Sequence, residues 1–511
     1  MKVLLFAPPI MDDIFADKPA PIAMDAVREC PPYGIYLLQA VLREAGHDAR
    51  VADLIADGTD CIDAYAADLA DCGLVGIGAS SMSWPTAVRV LRQVRRARPD
   101  ARVVLGGIHP TMFDYYILNT FHVDYIIRGE GEVALCELCA ALERGSGLDG
   151  VPNLSWRDQS GEVVRNPIPA KLGKNQLGRF PLPDFSQLPD QVYKGLSIES
   201  SRGCAFDCSF CSTSYRKSWR GMPAEVFVER LAAMMPQAAR TSLGMIHIID
   251  DEFSLNPKRT IEISKLIRRR GLNPSLIFDS RAPDLLYDGL VPSIAEFTGQ
   301  FLVGAECGYD EGLEKIGKGT TTKILEDAAA MLQAHGLASK ADFSFVVGLP
   351  WEGVAEVRRT CAFAGHLFVK YGVRVLLQWY CQIPGSRLWE ADRRAGKVSE
   401  AMYNDFGFFR DLYLFRSGVQ LTPDEILGVS TMVAALQNVA RVRSPDRPMV
   451  EYGHPEPIAL YYPDEVRGRR PDGLASLREV SMPEGIDTAT KFPRPNRLEV
   501  SMERPLRHID A

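Results

Sequence analysis

The sequence predicts an α/β protein: a Rossmann-like, doubly wound parallel sheet first, a partial (β/α)6 barrel second and a small C-terminal region last. Three observations predict it. Residues 1–144 alternate short apolar runs with amphipathic stretches. That rhythm stops in a segment rich in Gly, Pro and Asp, then resumes at Gly195 for six further strand–helix repeats. A chain of 511 residues is long enough for two or three such domains.

The first domain spans residues 1–144 and opens on Lys2–Ala7, an apolar strand ended by Pro8-Pro9. Ile35–Ala45 has helical spacing and stops at Gly46, a natural helix C-terminal residue. Asp48–Asp53 alternates as a strand, and Leu74–Ile77 is a short buried one. Pro85–Arg98 is an amphipathic helix with proline in its first turn, where the missing N–H has no partner to lose. Arg102–Leu105 and Asp124–Ile127 complete the strands, and Glu132–Arg144 is the closing helix. Sheets of this kind bind ligands beyond the carboxyl ends of their strands.

Residues 145–194 read as a connector in which Asn153–Asp158 and Glu162–Arg165 have the pattern of a hairpin. The second domain covers 195–400, with strands at Leu196–Glu199, Met245–Ile249, Ser275–Phe278, Phe301–Gly304, Asp342–Val347 and Val375–Tyr380. Functional groups are expected at the carboxyl ends of barrel strands. Residues 401–511 begin with the aromatic run Phe406–Phe415 and the helical pattern Asp424–Val442. They end in a tail rich in Pro, Arg, Asp and Glu that is expected to be irregular.

The composition, 46% hydrophobic and 24% charged, is that of a soluble globular protein. A net charge of -7 argues against a dedicated nucleic-acid binder, which needs a basic footprint. No apolar run reaches the length of a membrane span, and the N-terminal run is too short for a secretory signal. The expectation is a cytoplasmic protein with neither nucleic acid nor membrane as partner. Eleven scattered cysteines, an odd number, are not a disulfide framework. Cys136 and Cys139 fall on the last helix of the first domain and read as small buried hydrophobes.

Three cysteines are grouped in Arg202-Gly203-Cys204-Ala205-Phe206-Asp207-Cys208-Ser209-Phe210-Cys211, directly after a predicted strand. Most cubane clusters take one thiolate per iron, so three thiolates leave one iron open. Structural zinc takes four ligands in paired units, and no fourth ligand is near. With an aromatic residue before the last cysteine, the motif resembles the radical S-adenosylmethionine (SAM) superfamily. The resemblance implies a [4Fe–4S] cluster on Cys204, Cys208 and Cys211, which serve as catalytic metal ligands. The open iron chelates SAM, and reductive cleavage gives a 5′-deoxyadenosyl radical. Phe210 is then expected near the adenine.

The resemblance continues along the barrel. Asp250, Asp251 and Glu252 follow the second strand, where the family holds the SAM amino group; Asp-Asp-Glu replaces the commoner Gly-Gly-Glu, a variant associated with the cobalamin-dependent branch. Ser280 and Arg281 match carboxylate contacts, Glu306 a ribose-facing position, and Gly348 in Val347-Gly348-Leu349-Pro350 the backbone edge that meets adenine. Pro384-Gly385-Ser386 follows the sixth strand, as in many relatives.

Residues 1–144 resemble the cobalamin-binding (B12-binding) domain fused to many such enzymes. The implied cobalamin contacts are Pro9, Tyr33, Gly34, Ser80, Ser81, Gly106, Gly107, His109, Thr111, Gly129, Glu130, Gly131 and Glu132. Glycines at strand ends let the backbone approach a bulky ligand. Pro8–Lys18 lacks the histidine that the methionine-synthase type carries in D-x-H-x-x-G, so the cobalt is expected to have no histidine below it. Met82, Ser83 and Trp84 are candidates for that lower face, and His109 is expected to bond backbone or the corrin edge.

The whole resembles class B radical SAM methyltransferases. One SAM methylates the cobalt, a second yields the radical, and an unactivated carbon of a small-molecule natural product receives the methyl group. The implied partners are that substrate and an external low-potential reductant of flavodoxin or ferredoxin type. The same cofactors serve rearrangement, cyclisation or oxidation. A SAM-dependent radical dehydratase without cobalamin and a non-catalytic cobalamin sensor are further readings, the last opposed by the intact cysteine motif.

Overall fold

The computed structural model describes residues 1–10, 29–168, 174–213, 215–380, 382–404 and, within 419–432, all but 423, 427, 430 and 431. Five parallel strands form the front of the molecule: β1 (Lys2–Ala7), β2 (Asp48–Asp53), β3 (Leu74–Gly78), β4 (Val103–Gly106) and β5 (Tyr125–Ile127), in the order β2-β1-β3-β4-β5. Buried faces of Leu, Val and Ile on both sides of this sheet make the two halves of its core.

The expected hairpin forms, as β6 (Leu154–Arg157) and β7 (Val163–Arg165), but it is not part of a free connector. β6 pairs antiparallel with β5 and lengthens the first sheet to seven strands. The open edge of β5 offers unpaired N–H and C=O groups, and Leu154 and Trp156 bury their side chains against the same core as β1. Arg165 fixes the outer strand with two hydrogen bonds to Asp114, at 2.9 and 3.0 Å.

A helix over Ile108–Thr120, unexpected from the sequence, starts on the Gly106-Gly107 step. Gly107 has φ +97°, and a Cβ there would lie 2.5 Å from the carbonyl oxygen of Ala79. Only glycine allows this close passage between two strand ends.

The second sheet holds six parallel strands in the order β15-β14-β13-β12-β11-β8. They are β8 (Gly195–Ile198), β11 (Met245–Ile248), β12 (Ser275–Ser280), β13 (Thr298–Glu306), β14 (Ala341–Val347) and β15 (Arg374–Trp379). Helices Ala224–Ala238, Pro257–Arg269, Thr322–Ala334 and Val354–Tyr371 return the chain between them. Phe253, Phe278 and Phe301 pack in series through the interior, with ring centroids 5.1 and 5.3 Å apart. Two short strands, β9 (Ser201–Arg202) and β10 (Arg220–Gly221), pair antiparallel and pinch the base of the cysteine loop.

The chain then returns to the first domain. Trp389, Val398 and Tyr403 are buried in the core that contains Trp84 and Phe113. The aromatic run Phe406–Phe415 and the tail from Ser444 lie outside the described residues, as does most of the helical pattern Asp424–Val442. Among the described residues no helix is long and apolar enough to cross a membrane.

Candidate active site

The cysteine loop leaves β9 at Gly203, with φ +81°; a Cβ there would lie 2.3 Å from the carbonyl oxygen of Ser218. Cys204 and Ser218 close the loop, the Cys204 N–H donating to Tyr215 O (3.3 Å) and the Ser218 N–H to Cys204 O (3.0 Å). All three thiols are partly exposed. Burial pushes Cys208 up to about 11 and also raises Cys204 and Cys211. Metal loading must therefore expel their protons. Among the described residues no three such side chains converge on a single-ion point. A cubane instead gives each thiolate its own iron, and a loop carrying three separate thiols suits it.

The three acids after β11 have different tasks. Asp250 is buried and fully engaged, accepting from the N–H groups of Ser200 (2.7 Å) and Ser201 (2.9 Å) and from both hydroxyls. It clamps the approach to the cysteine loop, with four donors on its two oxygens. Glu252 is also buried, and burial lifts it to about 8 while Ser254 donates to it. Asp251 alone is exposed, close enough to raise the thiols of Cys204 and Cys211.

Opposite stands a cationic pair that the sequence reading half missed. Arg281 lies over the ring of Phe206, 3.4 Å from its centroid, and donates through Nη2 to the carbonyl of Lys318. Lys318 is buried and ion-paired with Glu306. Burial pushes its ammonium down, but Glu306 and then Cys208 reverse this and leave it raised. Glu306 reaches the site through an irregular register at the end of β13 and sits at φ +63°, uncommon for a non-glycine residue. A Cβ on Gly304 would strike the ammonium of Lys318, so that glycine makes room for the pair. The signal for Lys318 was its place between Gly317 and Gly319, both at positive φ. Buried Arg281 Nε, Thr320 Oγ1 and Ser209 Oγ have no partner among the described residues, and such orphaned groups suit a polar ligand.

Of the other expected SAM contacts, Ser280 bonds Ser254 at 2.8 Å. Phe210 is partly buried against the barrel core. Gly348 has its N–H committed to Glu352 (2.8 Å), which also accepts from Leu349 (3.0 Å) and Tyr309 (2.8 Å). Glu352 was missed; it fixes the turn that carries Gly348.

At the first sheet, Gly34, Gly107 and Gly129 are exposed, with Ser80, Gly106, Thr111 and Gly131 partly so. These small groups add little side-chain bulk of their own at the strand ends, which suits a broad planar corrin. Pro9, Tyr33 and Ser81 are buried. His109 is fully buried, stacked on Trp84 at 4.5 Å and bonded through Nδ1 to Ser81 (3.0 Å), and burial lowers it to about 3. Its buried Nε2 has no partner among the described residues. Trp84 is buried too, whereas Met82 is exposed.

Glu130 and Glu132, expected at cobalamin, are ion-paired with arginines of the barrel. Arg202 bonds Glu130 (3.1 Å), Glu132 (2.6 Å) and Glu199 (2.7 Å), and Arg220 bonds Glu130 (2.8 Å). Burial alone would push the Arg202 guanidinium down; Glu199 and Glu132 reverse that and hold it above its ordinary value. These buried charges need one another, since each left alone would be costly. The clamp ties the loop after β5 to the residue two before Cys204.

Family models agree with this division: a B12 binding domain matches residues 21–139 and the Radical SAM superfamily matches residues 198–364. An uncharacterised methyltransferase of Pyrococcus horikoshii is 32% identical over 401 residues, 76% of this chain and 83% of that protein. The anaerobic magnesium-protoporphyrin IX monomethyl ester cyclase of Synechocystis is 26% identical over 355 residues, 67% of this chain and 68% of the relative. Among solved structures, the cobalamin-dependent SAM radical enzyme OxsB, with aqua-cobalamin and SAM bound, superposes with TM-score 0.63 at 15% identity, covering 88% of this chain and 69% of that one. The chain belongs to the cobalamin-dependent radical SAM enzymes, whose cofactors are cobalamin, SAM and a [4Fe–4S] cluster.

Proposed function

We propose that this enzyme transfers a methyl group to an unactivated carbon of a small-molecule substrate. The observation that carries the reading is the clamp: the loop after β5 in the first domain is ion-paired to Arg202, at the root of the cysteine loop. Methyl transfer needs the two cofactor sites on one substrate, and a rigid junction between them supplies that proximity.

When bound, the cofactors supply what side chains cannot, a primary carbon radical and a transferable methyl group. The chain's own residues bind and orient. Cys204, Cys208 and Cys211 hold the cluster. Asp251 would face the SAM amino group, Arg281 the carboxylate, and Glu306, ion-paired with Lys318, the ribose hydroxyls. Gly34, Gly107 and Gly129 would let the backbone approach a bound corrin. An electron donor of flavodoxin or ferredoxin type is required from outside.

A second reading, radical ring closure without methyl transfer, is favoured by the similarity to the Synechocystis cyclase. Anaerobic reconstitution with iron, sulfide and hydroxocobalamin, followed by SAM, reductant and candidate substrates, separates the two. Methylation yields S-adenosylhomocysteine together with 5′-deoxyadenosine. Substrate turnover with 5′-deoxyadenosine alone would overturn it in favour of the second reading. Cys208→Ala is expected to abolish the cluster's visible absorbance.

A further inference from the structure

The cluster must receive electrons across the protein surface, and the outer wall of the cysteine loop carries an unusual charge arrangement. Asp207 is one peptide bond from Cys208, with Cα atoms about 3.8 Å apart. Three cations surround its carboxylate: Lys217 at 3.1 Å, Arg216 at 3.5 Å and Arg387 at 3.7 Å. One carboxylate cannot neutralise them, so this wall has excess positive charge. The two outer cations are open to solvent, with side-chain exposures of 71% for Lys217 and 51% for Arg387.

The wall is rigidly joined to the cluster loop. Arg387 Nη2 donates to the Asp207 carbonyl (2.8 Å), and Arg216 Nη2 to the Gly385 carbonyl (2.7 Å). The Leu388 N–H donates to Ser209 O (3.0 Å), and the Ser209 N–H to Ile316 O (2.8 Å). Helix Arg387–Arg394 adds Arg394 to this charge, while Arg393 is paired with Glu390 and Glu400, and Lys397 with Asp392. Elsewhere the chain is acidic, with a net charge of -7. An acidic partner is therefore repelled by the molecule at large and attracted to this wall.

We propose that Lys217 and Arg387, around Asp207, form the docking surface for an acidic one-electron donor protein of the reduced-flavin class. Neither residue holds the cluster or SAM. The donor's flavin hydroquinone gives up one electron and one proton to become the semiquinone; the oxidised cluster takes the electron, the proton goes to solvent, and no bond forms between the proteins. The inference rests on the cluster assignment to Cys204, Cys208 and Cys211.

The test is stopped-flow reduction of the reconstituted holoenzyme by reduced flavodoxin and, separately, by titanium(III) citrate. For the wild type the flavodoxin rate should fall as salt rises. Lys217→Glu should slow flavodoxin reduction at least ~10-fold, leaving titanium(III) citrate reduction and SAM binding unchanged. Should that variant not fold, Lys217→Gln is expected to slow only the flavodoxin reaction. Wild-type flavodoxin rates in the variants, or rates indifferent to salt, overturn the docking surface. Equal slowing with both reductants also overturns it, because the defect then lies within the loop. A wild type that holds no reducible cluster refutes the underlying cluster assignment instead.

Discussion

Asp250, Asp251 and Glu252 are neighbours in sequence and meet three different environments. Ser200 and Ser201 consume every acceptor position of Asp250, and Ser254 occupies Glu252, while Asp251 remains in the open. Carboxylates bonded to backbone N–H groups and hydroxyls contribute to stability, and only a free one contributes to binding a cation. Asp251→Asn is thus expected to raise the SAM dissociation constant about tenfold, or about 1.4 kcal/mol, with the unfolding midpoint unchanged. Asp250→Asn is expected to cost about 2 kcal/mol of stability, since an amide cannot accept from all four donors. Calorimetric SAM titration and urea unfolding distinguish them; the reverse pattern would refute the division. The motif was legible in the sequence, but the partition was not: it depends on serines fifty residues upstream and on burial. The same holds for Glu130 and His109. Their strand-end positions were visible, yet a barrel arginine takes one and an aromatic stack buries the other.

At the scale of elements, alternation of short apolar runs revealed both sheets, because parallel strands covered on two faces read as continuous hydrophobic stretches. What escaped were elements whose pattern is set by partners. The helix Ile108–Thr120 carries Pro110 in its first turn and apolar residues on every side, so no single face marks it. The hairpin Leu154–Arg165 was visible as a hairpin, but its attachment to β5 depends on an open edge elsewhere in the chain. The cysteine loop lies between these extremes: its ligands were plain, and its geometry rests on Gly203. Gly203→Ala must adopt φ +81° and relieve a 2.3 Å approach to Ser218 O. The left-handed conformation alone costs about 1–2 kcal/mol, and the clash is with backbone that cannot swing aside. Reconstituted Gly203→Ala is expected to hold markedly less iron and sulfide per chain than wild type while keeping the far-ultraviolet dichroism of the folded barrel. Full iron and sulfide content would show that the loop tolerates another path.

The whole molecule is tied at two ends of the junction between its sheets. On one side Arg202 and Arg220 grip Glu130 and Glu132; on the other, residues 387–404 re-enter the first domain. There Trp84 Nε1 donates to Asn404 Oδ1 (2.8 Å), Trp389 Nε1 to the Tyr403 hydroxyl (2.6 Å), and that hydroxyl to the Gln382 carbonyl (3.2 Å). Phe113 and Tyr403 stack with centroids 5.7 Å apart. The first domain's core is therefore completed by a segment that follows the last barrel strand, and Tyr33, Tyr36, Leu37 and Val41 of the first domain in turn join the barrel's core. Cooperative unfolding follows from that sharing. Tyr403→Ala removes a fully buried ring and should cost about 3 kcal/mol. Although residue 403 is remote in sequence from the first domain, the loss should appear there: the Trp84 environment and the barrel's secondary structure should both melt earlier, and together. Urea unfolding followed in parallel by tryptophan fluorescence and far-ultraviolet dichroism tests this. If Tyr403→Ala leaves the first domain's transition in place and shifts only the barrel's, the shared core does not act as one unit, and the junction between the cofactor sites is held by the ion-pair clamp alone.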